Sequence, residues 1–192
     1  MTSFQSKKVL LLDMDDVIVD QTLTWIQRLY EKTGVLYHRE SLTKWDLTSV
    51  LPREAAKMIY EEINREPGFF RQLPAKEGAI ESIEQLSLYY DIVFVSAGEH
   101  YAYRDKYLWL EENLPYLGKP NLVLTHRKDL VMGDILVDDG PHNIIKSPAK
   151  LKIIFDHPWN RHLQDYIRVL DWKQLTRILL AKDNRILRRY TG

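Results

Sequence analysis

Two carboxylates spaced two residues apart, Asp13 and Asp15, follow the apolar run Val9-Leu10-Leu11-Leu12, and a second acidic pair, Asp138 and Asp139, follows another, Ile135-Leu136-Val137. Side chains alternate along a strand, so Asp13 and Asp15 share a face if the strand runs on, and both reach the crevice beyond its carboxyl end if it breaks there. Open α/β sheets bind ligands in that crevice. Acids delivered to one edge by two strands repel each other unless a cation neutralises them. Hard, all-oxygen ligands with room for phosphate oxygens suit Mg²⁺ best. The expected chemistry is metal-dependent phosphoryl transfer.

Each residue type has a task in that chemistry. Asp13 can attack phosphorus in line and form an aspartyl-phosphate, which divides hydrolysis into two easier displacements. Asp15 can protonate the leaving alkoxide and then deprotonate the incoming water. The equatorial oxygens of the transferring group need preorganised donors. Ser96, which ends the run Ile92-Val93-Phe94-Val95, offers a hydroxyl together with backbone N–H groups around Ala97, and Lys128 offers a compact cation near the start of a helix. Asp138 is the expected metal ligand of the second pair. Asp139 is either a second ligand, directly or through water, or the group that orients Lys128. Taken singly these signals are weak, because strand-end Asp also forms turns and caps, a lone Ser is an N-cap and a lone Lys is surface charge. The order acid pair, Ser, Lys, acid pair is what carries the reading. Asp16 and Asp20 read as caps or hinge residues rather than ligands, and His157, in a loop before Pro158, as a local hydrogen-bonding residue.

The elements that must position these groups follow from hydrophobic patterning. Apolar runs of strand length recur at 9–12, 92–95, 122–124, 135–137 and 153–155, separated by helical patterns at 77–89 and 103–113. That rhythm predicts an α/β fold, a parallel sheet sandwiched by helices. The gap between the first two strands far exceeds a crossover. Residues 20–74 carry helical patterns at 22–34 and 52–65 and so form an insertion with its own structure. Placed immediately after the first acidic motif, such an insertion can close over substrate and exclude water. A final helix is expected over 172–190, with Arg185, Arg188 and Arg189 on its outer face.

Composition bounds the function. The 192 residues are 45% hydrophobic and 28% charged, enough for one substantial core with a small inserted subdomain. With no Cys there are no disulfides, thiolate metal sites or cysteine nucleophiles. The 27 basic and 27 acidic residues leave no global field to draw the chain to nucleic acid or anionic lipid. No apolar run approaches the ~20 residues of a membrane span, and the first residues lack a signal-peptide pattern, so a cytoplasmic protein is expected. The dispersed His residues form no zinc set, and neither a phosphate-binding Gly-x-x-x-x-Gly-Lys-Ser/Thr loop nor a Gly-x-Gly-x-x-Gly fingerprint occurs.

The ordered set Asp13, Asp15, Ser96, Lys128, Asp138 resembles the haloacid dehalogenase (HAD) superfamily of phosphatases. Pro67-Gly68-Phe69-Phe70-Arg71 with Gly78-Ala79, then His126-Arg127-Lys128-Asp129 and Gly133 to Asp139, narrow the resemblance to the 5′(3′)-deoxyribonucleotidase family. It implies a Rossmann-like, HAD-like core over 1–19 and 75–192 with a small helical cap at 20–74. It also implies Mg²⁺-dependent dephosphorylation of nucleoside monophosphates. By position, Asp13 is the nucleophile and a metal ligand, and Asp15 the acid/base and, through its backbone carbonyl, a second ligand. Ser96, Ala97 and Lys128 hold the phosphate, and Asp138 completes the protein ligands. The chain departs from the family pattern at Asp16, where a small residue is usual, and at Ser96-Ala97-Gly98, where Thr-Ser-Pro is familiar. In the cap, Trp45 and Phe69 are the aromatics expected against substrate, with Trp25, Tyr37 and Phe70 expected mainly in the core. The expected partner is a small-molecule nucleotide, with no nucleic-acid polymer and no membrane; a homodimer stays open. Two alternatives stand beside this reading: a HAD phosphatase for a sugar phosphate or other small metabolite, and a non-catalytic nucleotide-binding module.

Overall fold

The structure, a computed structural model, describes residues 6–181. Six parallel strands form one sheet: β1 (Lys8–Leu12), β2 (Tyr90–Ser96), β3 (Leu122–Leu124), β4 (Ile135–Asp138), β5 (Leu151–Phe155) and β6 (Ile167–Val169), in the order β3-β2-β1-β4-β5-β6. The strands are nearly all apolar because both faces are covered. Leu10, Leu12, Ile92, Phe94, Ile135, Val137 and Ile153 enter one large cluster, while their neighbours Leu11, Val95, Leu136 and Ile154 enter a smaller one behind the sheet. The larger cluster is roofed by α3 (Ala79–Ser87), α4 (His100–Asn113) and α6 (Trp172–Leu180), and the smaller by α5 (Pro141–Lys146). On that side the sheet loop approaches closely: a Cβ on Gly133 would lie 2.5 Å from Leu11 Cγ, so only glycine fits.

The five expected strands are present, and β6 is an addition at the edge. Helix α4 starts three residues earlier than its pattern suggested, and Lys128 opens a 3-10 turn, Lys128–Leu130, rather than an α-helix. The last helix is described to Leu180; the rest of the expected 172–190 segment, with Arg185, Arg188 and Arg189, lies outside the described residues.

Between β1 and α3 the chain builds α1 (Gln21–Thr33) and α2 (Arg53–Glu61), joined and followed by 3-10 turns including Leu47–Ser49 and Ile63–Arg65. Ile26, Leu29, Ala55, Ile59 and Ile63 bury their side chains in the same cluster as the sheet's larger face. Trp25 Nε1 donates to Asn64 Oδ1 at 2.7 Å and fastens the two helical pieces together. Asp20, the N-cap of α1, accepts from Arg39 at 3.0 Å and Lys76 at 2.5 Å, so one carboxylate joins the start of the 20–74 segment to its middle and to the chain just beyond its end. Among the described residues no helix is long and apolar enough to cross a membrane.

Candidate active site

The central strand β1 sits between β2 and β4, with Leu12 in register with both Phe94 and Val137. Sheet order reverses there, which opens a crevice at the carboxyl ends of the strands. Asp13 stands one residue beyond β1, its N–H donating to Val137 O at 3.0 Å, and so falls beside Asp138. Past it the chain turns sharply: the N–H groups of Val17, Ile18 and Val19 all donate to Met14 O, and Asp16 takes a left-handed backbone conformation, φ +56°. That conformation costs an L-residue strain, least for Asp and Asn. The Asp16 carboxylate secures the turn by accepting from Thr22 N at 3.1 Å and Thr22 Oγ1 at 2.5 Å, at the start of α1. Burial pushes its pKa up to about 6. Asp16 thus acts as the cap expected of it.

Asp13, Asp138 and Asp139 are all buried, with one oxygen from each lying within 4.8 Å of the others. Lys128, 5% exposed, bridges two of them, 2.7 Å from Asp13 Oδ2 and 2.9 Å from Asp138 Oδ2. The far oxygen of Asp138 accepts from Gly140 N at 2.7 Å and Asn143 Nδ2 at 3.0 Å. A Cβ on Gly140 would lie 2.8 Å from Asn143 Nδ2 and 3.0 Å from that oxygen, so a side chain there would press on the clasp. Asp139 Oδ2 accepts from Trp159 Nε1 at 3.0 Å, and its Oδ1 is buried with no partner among the described residues. Lys128 is therefore oriented by Asp13 and Asp138, not by Asp139.

Three carboxylates against one ammonium would leave a surplus of two negative charges in a desolvated site if all three ionised. Burial pushes Asp13 up to about 7 against the pull of Lys128, with Asp138 and Asp15 adding to the rise. Burial, then Asp13 and Asp138, drive Asp139 well above the carboxylate range. Burial works against the charge of Lys128, but its two acidic partners outweigh it and hold the pKa above the usual lysine value. The donor set is all oxygen, one donor oxygen is orphaned, and the unbalanced charge equals that of a divalent cation. These residues fit Mg²⁺.

Asp15 is placed differently. Its carboxylate lies outside the three-acid cluster and meets a second buried lysine, Lys106 of α4, at 2.5 Å. Lys106 also donates to Ser96 Oγ at 2.7 Å and Ala97 O at 2.9 Å. Ser96 is fully buried, its Oγ 3.4 Å from Asp15 Oδ2. Lys106 is hidden in the sequence because it stands in the charged run Arg104-Asp105-Lys106, which looks like a solvated helix face. One signal was present: Lys106 lies four residues from both Ala102 and Leu110, on the stripe that α4 buries.

Asp13, Asp15, Ala97, Lys128 and Asp139 lie at one end of a cavity of about 490 Å³ that runs up to the 20–74 segment, where Trp25, Trp45, Tyr60 and Phe70 contribute its apolar walls. Trp45, 45% exposed, stands edge-on to His142 and Trp159, with ring centroids 5.0 and 6.2 Å away. Phe69 is a correction: it is 4% exposed and packs edge-on against Phe70 at 5.1 Å, away from the cavity, so Phe70 is the aromatic of that pair that meets the open space. Tyr37 does not line the cavity. Behind the site, His157 stacks on Trp159 at 4.4 Å and donates from Nε2 to Asp16 O at 2.7 Å, while its side chain accepts from the Asn160 N–H. Burial, with Lys76 reinforcing it, lowers its pKa to about 3. His157 is a neutral strut for the Asp16 turn.

A family model described as "5′ nucleotidase, deoxy (Pyrimidine), cytosolic type C protein" matches residues 7–184. The chain belongs to this family. Among curated relatives of this nucleotidase chain, a 5′(3′)-deoxyribonucleotidase of Clostridium acetobutylicum is 31% identical over 167 residues, covering 87% of the chain and 92% of the relative. One of Bacillus subtilis is 29% identical over 176 residues, covering 91% and 99%. Among solved structures, a HAD family hydrolase of Deinococcus radiodurans with bound phosphate and sodium superposes with a TM-score of 0.60 at 13% identity, covering 88% of the chain and 93% of that structure. A HAD hydrolase from Bacillus subtilis bound to magnesium superposes at 0.58 with 12% identity, covering 92% and 100%. The fold is that of the HAD-like hydrolases, and the family is one of phosphoric monoester hydrolases.

Proposed function

We propose that the protein is a Mg²⁺-dependent phosphomonoesterase that hydrolyses nucleoside monophosphates, most suitably deoxyribonucleotides, through an aspartyl-phosphate on Asp13. One observation carries the reading: a buried carboxylate cluster carrying two uncompensated negative charges opens onto a cavity with aromatic walls. Asp13, Asp138 and Asp139 would hold the ion, with the Asp15 backbone carbonyl as a further ligand. When bound, the ion offsets the charge of the phosphate and of the acids around it. A carboxylate oxygen of Asp13 forms the new O–P bond as the ester P–O bond breaks, and Asp15 gives its proton to the departing alkoxide. Asp15 then takes a proton from the water that attacks phosphorus, which returns Asp13 to a free carboxylate and releases inorganic phosphate. Lys128 and the backbone at Ala97 hold the equatorial oxygens, with Ser96 buried behind them.

The 20–74 segment acts as a cap. Trp45 and Phe70 offer faces or edges to a base, contacts worth about 1–3 kcal/mol each by analogy with single-strand readers. The relatives named 5′(3′)-deoxyribonucleotidase support the nucleotide as substrate. The deciding experiment measures phosphate release from a panel of deoxy- and ribonucleoside monophosphates and sugar phosphates, with Mg²⁺ or with chelator. Turnover of nucleotides that depends on Mg²⁺ is expected. Equal or better turnover of sugar phosphates would replace the substrate assignment, and nucleotide binding with no phosphate release over hours would replace the enzymatic one.

A further inference from the structure

Lys106 has three ammonium donors and three acceptors, Asp15 Oδ2 at 2.5 Å, Ser96 Oγ at 2.7 Å and Ala97 O at 2.9 Å. It is 1% exposed, and the ring of Phe70 lies under the ammonium, 5.1 Å from Nζ to the ring centroid. A buried lysine with every donor used has one geometry available to it, since leaving a charged donor unpaired in the interior is costly. The consequence falls on Asp15. Its Oδ2 faces two donors, Lys106 and, at 3.4 Å, Ser96, whereas its Oδ1 is buried, has no partner among the described residues, and belongs to a residue lining the cavity.

We propose that Lys106 is a positioning residue that pins Oδ2 of Asp15 and so reserves Oδ1 as the oxygen that exchanges a proton with the substrate. Oδ2 is already surrounded by donors and has no room for a proton of its own, which leaves Oδ1 as the site from which the leaving oxygen is protonated. The same ammonium also donates to Ser96 Oγ and the Ala97 carbonyl, which hold Nζ in place against Oδ2. Phe70 completes the arrangement: the residue that covers the Lys106 ammonium is also part of the cavity wall. The inference rests on the proposed phosphatase reading, and its test separates the two.

The test compares substrates that need a proton on the leaving oxygen with one that does not. Removal of Lys106 in Lys106→Met, which keeps the packing volume near Phe70, is expected to lower kcat for a nucleoside monophosphate by about 100-fold, the lower end of what general acid catalysis contributes. With p-nitrophenyl phosphate, whose leaving group departs without help, kcat falls by less than about 10-fold on the same reasoning. KM for the nucleotide changes little, and Lys106→Met added to Asp15→Asn has no further effect on kcat. Equal losses on both substrates, a loss confined to KM, or additive losses in the double variant would overturn the proposal. A wild type that hydrolyses neither substrate would instead overturn the phosphatase reading. If Lys106→Met does not fold, the wild type still answers: nuclear magnetic resonance with ¹⁵N-lysine should show a slowly exchanging Lys106 ammonium whose signal moves in Asp15→Asn. A rapidly exchanging ammonium, or one indifferent to that change, would overturn it.

Discussion

The two buried lysines of the site solve opposite electrostatic problems. Lys106 is balanced: one ammonium meets one carboxylate and two neutral acceptors, and every donor is used. Lys128 is outnumbered: it pairs with Asp13 and Asp138 while Asp139 stands beside them unneutralised. The first half of the site is balanced as polypeptide, and the second gathers acids that suit a cation. The difference separates a half whose charges balance within the polypeptide from one whose acids outnumber its lysine, and each half lends itself to perturbations the other should not feel.

The largest effect belongs to the outnumbered side. Asp13→Asn should reduce turnover by roughly 10⁴-fold or more, as loss of a covalent nucleophile does, measured as steady-state phosphate release. In chelator the same variant should melt at a higher temperature than wild type, because it removes one of the mutually repelling acids. A lower melting point would mean that Asp13 is not a source of strain. Next comes Lys128→Met, which leaves the acids without their cation. Removing one partner of a buried pair costs about 3–5 kcal/mol, read by urea unfolding in chelator, and saturating Mg²⁺ should recover a substantial part of it. Lys106→Met, by contrast, should lose stability that Mg²⁺ does not restore. An equal response of the two variants to Mg²⁺ would erase the distinction between the two halves.

A smaller effect lies behind the site. His157 is held neutral, with a folded pKa of about 3 against about 6.5 when unfolded. The unfolded chain therefore binds a proton that the folded one does not, and this contribution to stability is complete above pH 6.5 and lost as pH falls toward 3. Lys76 and Arg39 press the same way and Asp156 opposes them. The slope approaches about 1.4 kcal/mol per pH unit only well below pH 6.5, so the loss between pH 7 and 5.5 is about 1.2 kcal/mol, and it should be absent from His157→Gln in urea titrations over that range with Mg²⁺ present. Parallel slopes for the two proteins would remove His157 from the account. The smallest expected effect is at the cavity mouth: Trp45→Ala should raise KM for a nucleotide by about 5-fold or more, with kcat nearly unchanged, for the loss of roughly 1 kcal/mol of stacking.

Why some of this was legible in the sequence and some was not follows from the same contrast. The outnumbered half is written locally: Asp13, Asp138 and Asp139 each close or follow a recognisable strand, and strand ends converge in a parallel sheet whatever the details. The balanced half depends on a helix face. Lys106 lies ten residues beyond Ser96, and its burial is decided by the packing of α4 against Phe70–Gln72, which no local pattern specifies. Phe69 and Phe70 are adjacent and chemically identical, so which of them faces the cavity is settled only by the φ +77° turn at Gly68 and the 3-10 turn that follows. Strand β6 escaped because Arg168 interrupts its apolar run, unlike the equally short Leu122–Leu124, and it exists through its pairing with β5.

The central claim, that the carboxylate cluster is completed by one divalent ion required for turnover, is tested most directly by titrating metal-stripped protein with Mg²⁺ calorimetrically while following nucleotide hydrolysis. One ion per chain is expected, with binding lost or severely weakened in Asp13→Asn and Asp138→Asn and activity rising in step with occupancy. Full hydrolysis by stripped protein in chelator, or binding indifferent to both substitutions, would contradict it.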